Sequence, residues 1–257
     1  MASVQRSRIE VSGASIAVRH REGDAPGLVW LGGYKSDMTG TKAETLDAWA
    51  ASAGHEFTRH DYSGHGESGG RFEDGTISRW LSESLAVFHA FTNGRQILVG
   101  SSMGGWIALR MIQELRQAGE GERVAGLVLI APAPDFTMEL IEPQLTDELR
   151  RDLETKGYVE ERSEYSPEPN IYTRALIEDG RRNRVLEGII DTHCPIHVLQ
   201  GMADPDVPYA HALKLLDHLP ADDVTLSLVR DGDHRLSRPQ DLDMLVRTVE
   251  GMVRQVG

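Results

Sequence analysis

The sequence predicts an α/β protein: a mainly parallel central sheet flanked by helices, with an inserted helical cap. Three observations carry this. Short apolar, β-branched runs alternate with longer amphipathic segments along most of the 257 residues. The runs are nearly continuous in apolar residues, as in parallel strands covered on both faces. The alternation breaks once, after Pro134, in a long charged segment with no convincing buried strand.

Taken in order, an alternating strand-like run begins almost at the N-terminus. "SIAVRH" and "GLVWLGG" read as strands, and "TKAETLDAWAASAG" as a helix ending at Gly54. "EFTRHDYSG" is the next strand. "TISRWLSESLAVFHAF" places apolar residues at helical spacing, and "QILVGSS", "GGWIALRMIQELRQAG" and "VAGLVLIAPA" continue as strand, helix and strand. After the charged segment come the strand "PIHVLQG", the helix "YAHALKLLDHL", the strand "VTLSLV" and a last amphipathic helix from about Asp241. The expected organisation is one domain, with a core of residues 1–134 and 194–257 and an inserted cap of 135–193.

Composition narrows the function classes. Hydrophobic residues make up 40% and charged residues 26%, enough apolar material for a sizeable core. Lys and Arg total 27 against 40 Asp and Glu, a net charge of −13, so nucleic acid is not an expected partner. The N-terminus "MASVQRSRIEVSG" lacks the apolar region of a secretory signal. The longest apolar stretch, "VAGLVLIAPAP", falls well short of the roughly 18 residues a membrane span requires. The single cysteine, Cys194, excludes an intramolecular disulfide and suits a reducing cytoplasm.

The chemistry centres on Gly100-Ser101-Ser102-Met103-Gly104. It fits G-x-S-x-G with only Ser102 as the central serine, because Val99 and Met103 are not glycines. An apolar strand precedes it and an amphipathic helix follows, the strand–turn–helix setting that lifts a serine oxygen above a sheet. A serine hydroxyl needs a base, and the base needs an orienting acid. In this arrangement the chain order is serine, acid, histidine. His234 stands after the last strand in "RDGDHR", alone among the ten histidines in such a position.

Asp204 and Asp206, in "GMADPDVP", compete for the acid. Asp204 directly follows the strand and its turn and is favoured; Asp206 reads as helix-capping or solvent-facing. Asp231 and Asp233 read as loop-structuring. The oxyanion of an acyl-transfer intermediate needs backbone donors. The Met103 N–H follows the nucleophile, and the Tyr34 N–H lies in the "LGGYKS" loop after an earlier strand. Losing one such donor typically costs about 2.7–4 kcal/mol of transition-state stabilisation.

These stretches resemble the α/β-hydrolase superfamily along the whole chain. Within it, "GGYKSDMTGTKA", "DYSGHGESGG", "LVGSSMGGW", "GMADPDVP" and "GDHR" resemble the mitochondrial palmitoyl-protein thioesterases, also described as mycophenolic acid acyl-glucuronide esterases, and their bacterial relatives. The resemblance implies Ser102, Asp204 and His234 as nucleophile, acid and base. It also implies an ester, thioester or S-acylated protein as substrate, cleaved through an acyl-enzyme. A generic carboxylesterase, a serine aminopeptidase gripping an amine through the acids around "EYSPEP", and a non-catalytic binder on the same scaffold are the alternatives. The N-terminus is too short for the mitochondrial relatives' targeting segment, so the expected location is cytoplasmic.

No cofactor or metal is expected. His193, Cys194 and His197 lie close in sequence but lack further ligands at metal spacing, and His197 falls inside a strand pattern. His65 reads as structural. In the cap, Phe136, Met138, Leu140, Ile141, Leu145, Ile171, Tyr172, Leu176 and Ile177 are expected to form an apolar face over Ser102.

Overall fold

The computed structural model describes residues 3–162, 168–220 and 223–257. Residues 163–167, which hold most of the "EYSPEP" stretch, lie outside the described residues. Eight strands form the main sheet: β1 (Gln5–Val11), β2 (Ala14–Arg21), β3 (Asp24–Leu31), β4 (His55–His60), β5 (Gln96–Ser101), β6 (Val124–Ile130), β9 (Ile196–Gly201) and β10 (Val224–Val229). Their spatial order is β1-β2-β4-β3-β5-β6-β9-β10. Only β2 runs against its neighbours; every pairing from β4 to β10 is parallel.

Side-chain alternation splits the core into two layers. Val29, Leu31, Leu98, Leu127 and Leu129 point to one face, where they pack with α2 (Ile77–Phe91), α3 (Met103–Gln117), α5 (Arg174–Arg182) and α6 (Tyr209–Asp217). Leu28, Trp30, Ile97, Val99, Val128 and Ile130 point to the other, against α1 (Thr41–Ala53) and α7 (Pro239–Val256). Both faces of the central strands are therefore dry, which is why those strands read as continuous apolar runs. Helix α7 starts two residues before the expected Asp241: Pro239 takes the first turn, and Arg238 and Asp241 close a reciprocal capping box across it.

The described residues between β6 and β9 lie outside the main sheet. A π-helical turn (Thr137–Ile141) leads into α4 (Asp147–Thr155), then β7 (Tyr158–Glu161) and β8 (Asn170–Thr173), which pair antiparallel, and then α5. The segment is expected as a helical cap with no convincing buried strand; the short, partly exposed β7–β8 pair is an addition to that helical reading. Both strands are four residues long and partly exposed, too short to show a period of two in sequence. The segment is tied down at its root by Asp135, whose carboxylate accepts from the Val185 and Leu186 amides at 2.9 Å each.

Strand order reverses between β3 and β5, so a crevice opens beyond the carboxyl ends of those two strands. Ser102 follows β5, and Tyr34 follows β3.

Candidate active site

Ser102 sits between the end of β5 and the start of α3 with φ 55° and ψ −119°, a conformation a non-glycine residue holds only when its surroundings force it. The forcing is visible. Its N–H donates to the Ile130 carbonyl at 2.9 Å, and its own carbonyl accepts from Gly105 and Ala133. The flanking glycines are sterically required. A Cβ on Gly100 would lie 2.4 Å from the Gly104 carbonyl oxygen, and one on Gly104 would lie 2.0 Å from the Leu31 carbonyl oxygen. The two glycines thus let strand, turn and helix approach this closely.

His234 reaches Ser102 from the loop after β10. The Ser102 hydroxyl donates to His234 Nε2 at 3.1 Å, and His234 Nδ1–H donates to Asp204 Oδ2 at 2.8 Å. Asp204 follows β9 and is buried. Its Oδ1 accepts from the Asp206 and Val207 amides at 2.9 and 2.8 Å. The two N–H groups of the Gln200 side chain, inside β9, are shared among Asp204 Oδ2 at 3.2 Å and the Gly201 and Val207 carbonyls at 3.0 Å each. Sequence reasoning passed over Gln200, although a glutamine in the apolar run "IHVLQG" was a signal.

Of the two alternatives for Asp206, the structure supports the solvent-facing one: its side chain is exposed, and Pro208 occupies the N-cap of α6 with no side-chain cap. Asp233 accepts from the Leu236 amide at 2.9 Å and Asp231 pairs with Arg238 at 2.7 Å, so both organise the histidine loop. Lys42 Nζ, from α1, donates to the Arg235 carbonyl next to His234. Burial pulls this amine down to about 8.

The second wall is the loop after β3. A Cβ on Gly33 would lie 3.4 Å from Ser102 Cβ, so this backbone passes directly beside the nucleophile candidate. The Tyr34 side chain does more than pack. Its hydroxyl donates to the Ile171 carbonyl, its ring stacks on Tyr172 with centroids 5.4 Å apart, and Phe72, Trp80 and Phe136 meet it edge-on. Lys35 Nζ donates to the Pro169 carbonyl at 2.8 Å. Met103 is the first residue of α3, where N–H groups have no partner within the helix.

A cavity of about 880 Å³ covers these groups. Of the nine apolar residues expected over Ser102, Phe136, Leu140, Ile141 and Tyr172 line it. Leu176 and Ile177 are instead buried in the main core, and Met138, Leu145 and Ile171 are not on its wall. Among the described residues, donor atoms of Asp204, Asp206 and His234 come within 4.8 Å of one another, as a metal would require. Asp204 and His234 already spend theirs on each other and on neighbouring groups. His197 bonds Ser227 and His193 pairs with Asp191, so these two histidines are turned to other partners.

The site has a poised hydroxyl, a base oriented by an acid, and backbone N–H groups beside it, the parts an acyl transfer needs. Residues 25–243 match the model of the alpha/beta hydrolase family. Human mitochondrial palmitoyl-protein thioesterase ABHD10 is 34% identical over 241 residues, 93% of this chain and 76% of that protein. Among solved structures, a putative hydrolase from Agrobacterium vitis is 61% identical with a TM-score of 0.95, covering 98% of this chain and 99% of its own. Alpha/beta hydrolase domain-containing protein 10 from mouse is 30% identical with a TM-score of 0.88, covering 98% of this chain and 100% of its own.

Proposed function

The chain belongs to the alpha/beta hydrolase family, and from that premise we propose that it is a serine hydrolase of carboxylic thioesters and esters, with Ser102, His234 and Asp204 as its triad. The observation that carries this is the unbroken hydrogen-bond chain from Ser102 Oγ through His234 to Asp204. Ser102 Oγ attacks the acyl carbonyl as its proton passes to His234 Nε2. The developing oxyanion is received by the Met103 and Tyr34 N–H groups. Collapse expels the thiol or alcohol, which takes the proton from His234. A water deprotonated by His234 then attacks the acyl-enzyme, and the carboxylic acid leaves. Asp204, accepting from Nδ1–H, holds the imidazole in the tautomer whose Nε2 is free to accept.

Residues 135–193 serve as the cap over a core of 1–134 and 194–257, with Phe136, Leu140, Ile141 and Tyr172 lining the acyl pocket. The thioester preference is taken from the relatives whose names carry it, and the apolar side chains Phe136, Leu140, Ile141 and Tyr172, within a cavity otherwise lined largely by polar groups, support a fatty acyl group on a small thiol, an alcohol or a protein cysteine. The acidic balance argues against nucleic acid. Among the described residues no helix is long and apolar enough to cross a membrane. A reducing cytoplasm is the proposed site of action, with which the lone free Cys194 is compatible.

The test is kcat/KM for matched thioesters and oxygen esters from acetyl to palmitoyl, followed by release of free acid. Thioesters turned over faster than their oxygen esters support the proposal. Preference for oxygen esters moves the chain to the carboxylesterases, and turnover of aminoacyl amides moves it to the peptidases.

A further inference from the structure

The loop that carries the Tyr34 N–H contains a residue in a conformation it would not choose. Lys35 has φ 55°, in the left-handed region that costs a side chain about 1–2 kcal/mol. Such a residue persists only where its surroundings over-determine it. One restraint is local: the Ser36 N–H donates to the Gly33 carbonyl at 3.1 Å. Because the Gly33–Tyr34 peptide is planar and trans, its N–H points opposite that carbonyl. The direction of the Tyr34 donor is therefore set by whatever holds this turn in place.

What holds it from below is His65. The Lys35 N–H donates to His65 Nε2 at 3.2 Å, and His65 Nδ1 lies 3.1 Å from the Ser63 carbonyl oxygen. A carbonyl can only accept, so Nδ1 carries the proton; a backbone N–H can only donate, so Nε2 is bare. Two independent partners thus require the same neutral tautomer. The ring is clamped among Tyr62, Phe72 and Trp80, with centroids 5.1 to 5.5 Å away. Burial also favours the neutral ring, pulling its pKa down to about 4.

We propose that His65 is a positioning residue for catalysis: its Nε2 lone pair holds the left-handed Lys35 peptide and thereby aims the Tyr34 N–H at the oxyanion. This rests on the acyl-transfer reading above, in which that N–H is a donor. His65 touches no reacting atom. Its influence is exerted through the loop alone, so it affects the transition state more than the bound substrate.

Two substitutions separate this role from simple packing. His65→Gln places an amide oxygen near Nε2 and keeps the acceptor for Lys35. His65→Asn mimics Nδ1, keeps the Ser63 contact and gives up the acceptor. His65→Asn is expected to lower kcat about 10- to 100-fold, with KM within about threefold, equally for acetyl and dodecanoyl thioesters. His65→Gln stays within about threefold of wild type. Equal behaviour of the two variants, a loss confined to KM, or a loss confined to the long chain overturns the proposal. In the same assay Ser102→Ala must abolish turnover; retained turnover there refutes the acyl-transfer reading itself. The wild-type ring is read directly by ¹⁵N NMR, so the test does not depend on either variant folding. A neutral ring protonated at Nδ1 supports the proposal, and a proton on Nε2 overturns it.

Discussion

The Asp204 carboxylate meets His234 Nδ1 with one oxygen at 2.8 Å and offers its other oxygen to the Asp206 and Val207 amides. Asp206 therefore contributes a backbone N–H to the acid that its own side chain rivals in sequence. Asp204→Asn should lower kcat by about 10⁴, because an amide cannot hold the imidazole in the required tautomer. Asp206→Asn keeps the backbone donor and should remain within about tenfold of wild type. Steady-state kinetics of both variants checks the assignment, and reversed effects would move the role to Asp206.

Leu140 and Ile141 line the cavity while Leu176 and Ile177 are buried beneath it. Leu140→Ala or Ile141→Ala should lower kcat/KM for palmitoyl thioester about tenfold, since each lost CH₂ contact contributes about 0.8 kcal/mol at most. The acetyl thioester should be unaffected. A uniform loss across the series would mean that these side chains dock the segment and do not bind the acyl chain.

Two buried histidines make stability depend on acid. Burial pulls His60 and His65 down to about 4, against an ordinary value near 6.5. Between those values the unfolded chain binds more protons, so stability is full above about 6.5 and falls as pH drops towards 4. Each histidine contributes about 3 kcal/mol at most to that fall. Glu56, Asp61, Glu83 and Asp135, pushed up by burial, act in the opposite sense and reduce the net slope. Denaturant midpoints at pH 7 and pH 5 should differ less for His60→Gln than for wild type. An unchanged difference would contradict the assignment.

Gly104 is packed against backbone. A Cβ there would lie 2.0 Å from the Leu31 oxygen and 2.7 Å from the Gly32 oxygen, neither of which can move aside alone. Gly104→Ala should cost about 3 kcal/mol, or roughly 6–12 °C of thermal midpoint. An unshifted midpoint would show that the turn has slack.

Ser102 was legible because two glycines fix its register, and the steric reason for those glycines is local. His234 and Asp204 were legible because each lies in the loop that follows a strand that reads clearly. The 135–193 segment was not. Its apolar residues are split between a face that lines the cavity and a face of α5 buried against α2 and the π-helical turn, and helical spacing alone does not say which stripe faces which neighbour. β7 and β8 pair over only four residues each, with Glu160 opposite Ile171, so neither shows a strand's alternation. Gln200 escaped although its partner, the Asp204 carboxylate, lies only four residues on, because the turn that closes them together is not written in their spacing; His65, read as structural, has its partner, the amide of Lys35, on another loop.

The central claim is that Ser102 is the nucleophile, and covalent labelling tests it most directly. The protein is treated with a fluorophosphonate, digested, and the labelled peptide mapped by mass spectrometry, with Ser101→Ala and Ser102→Ala alongside. The account predicts one phosphonate on Ser102, retained in Ser101→Ala and lost together with turnover in Ser102→Ala. Label on Ser101, or undiminished labelling of Ser102→Ala, would contradict it.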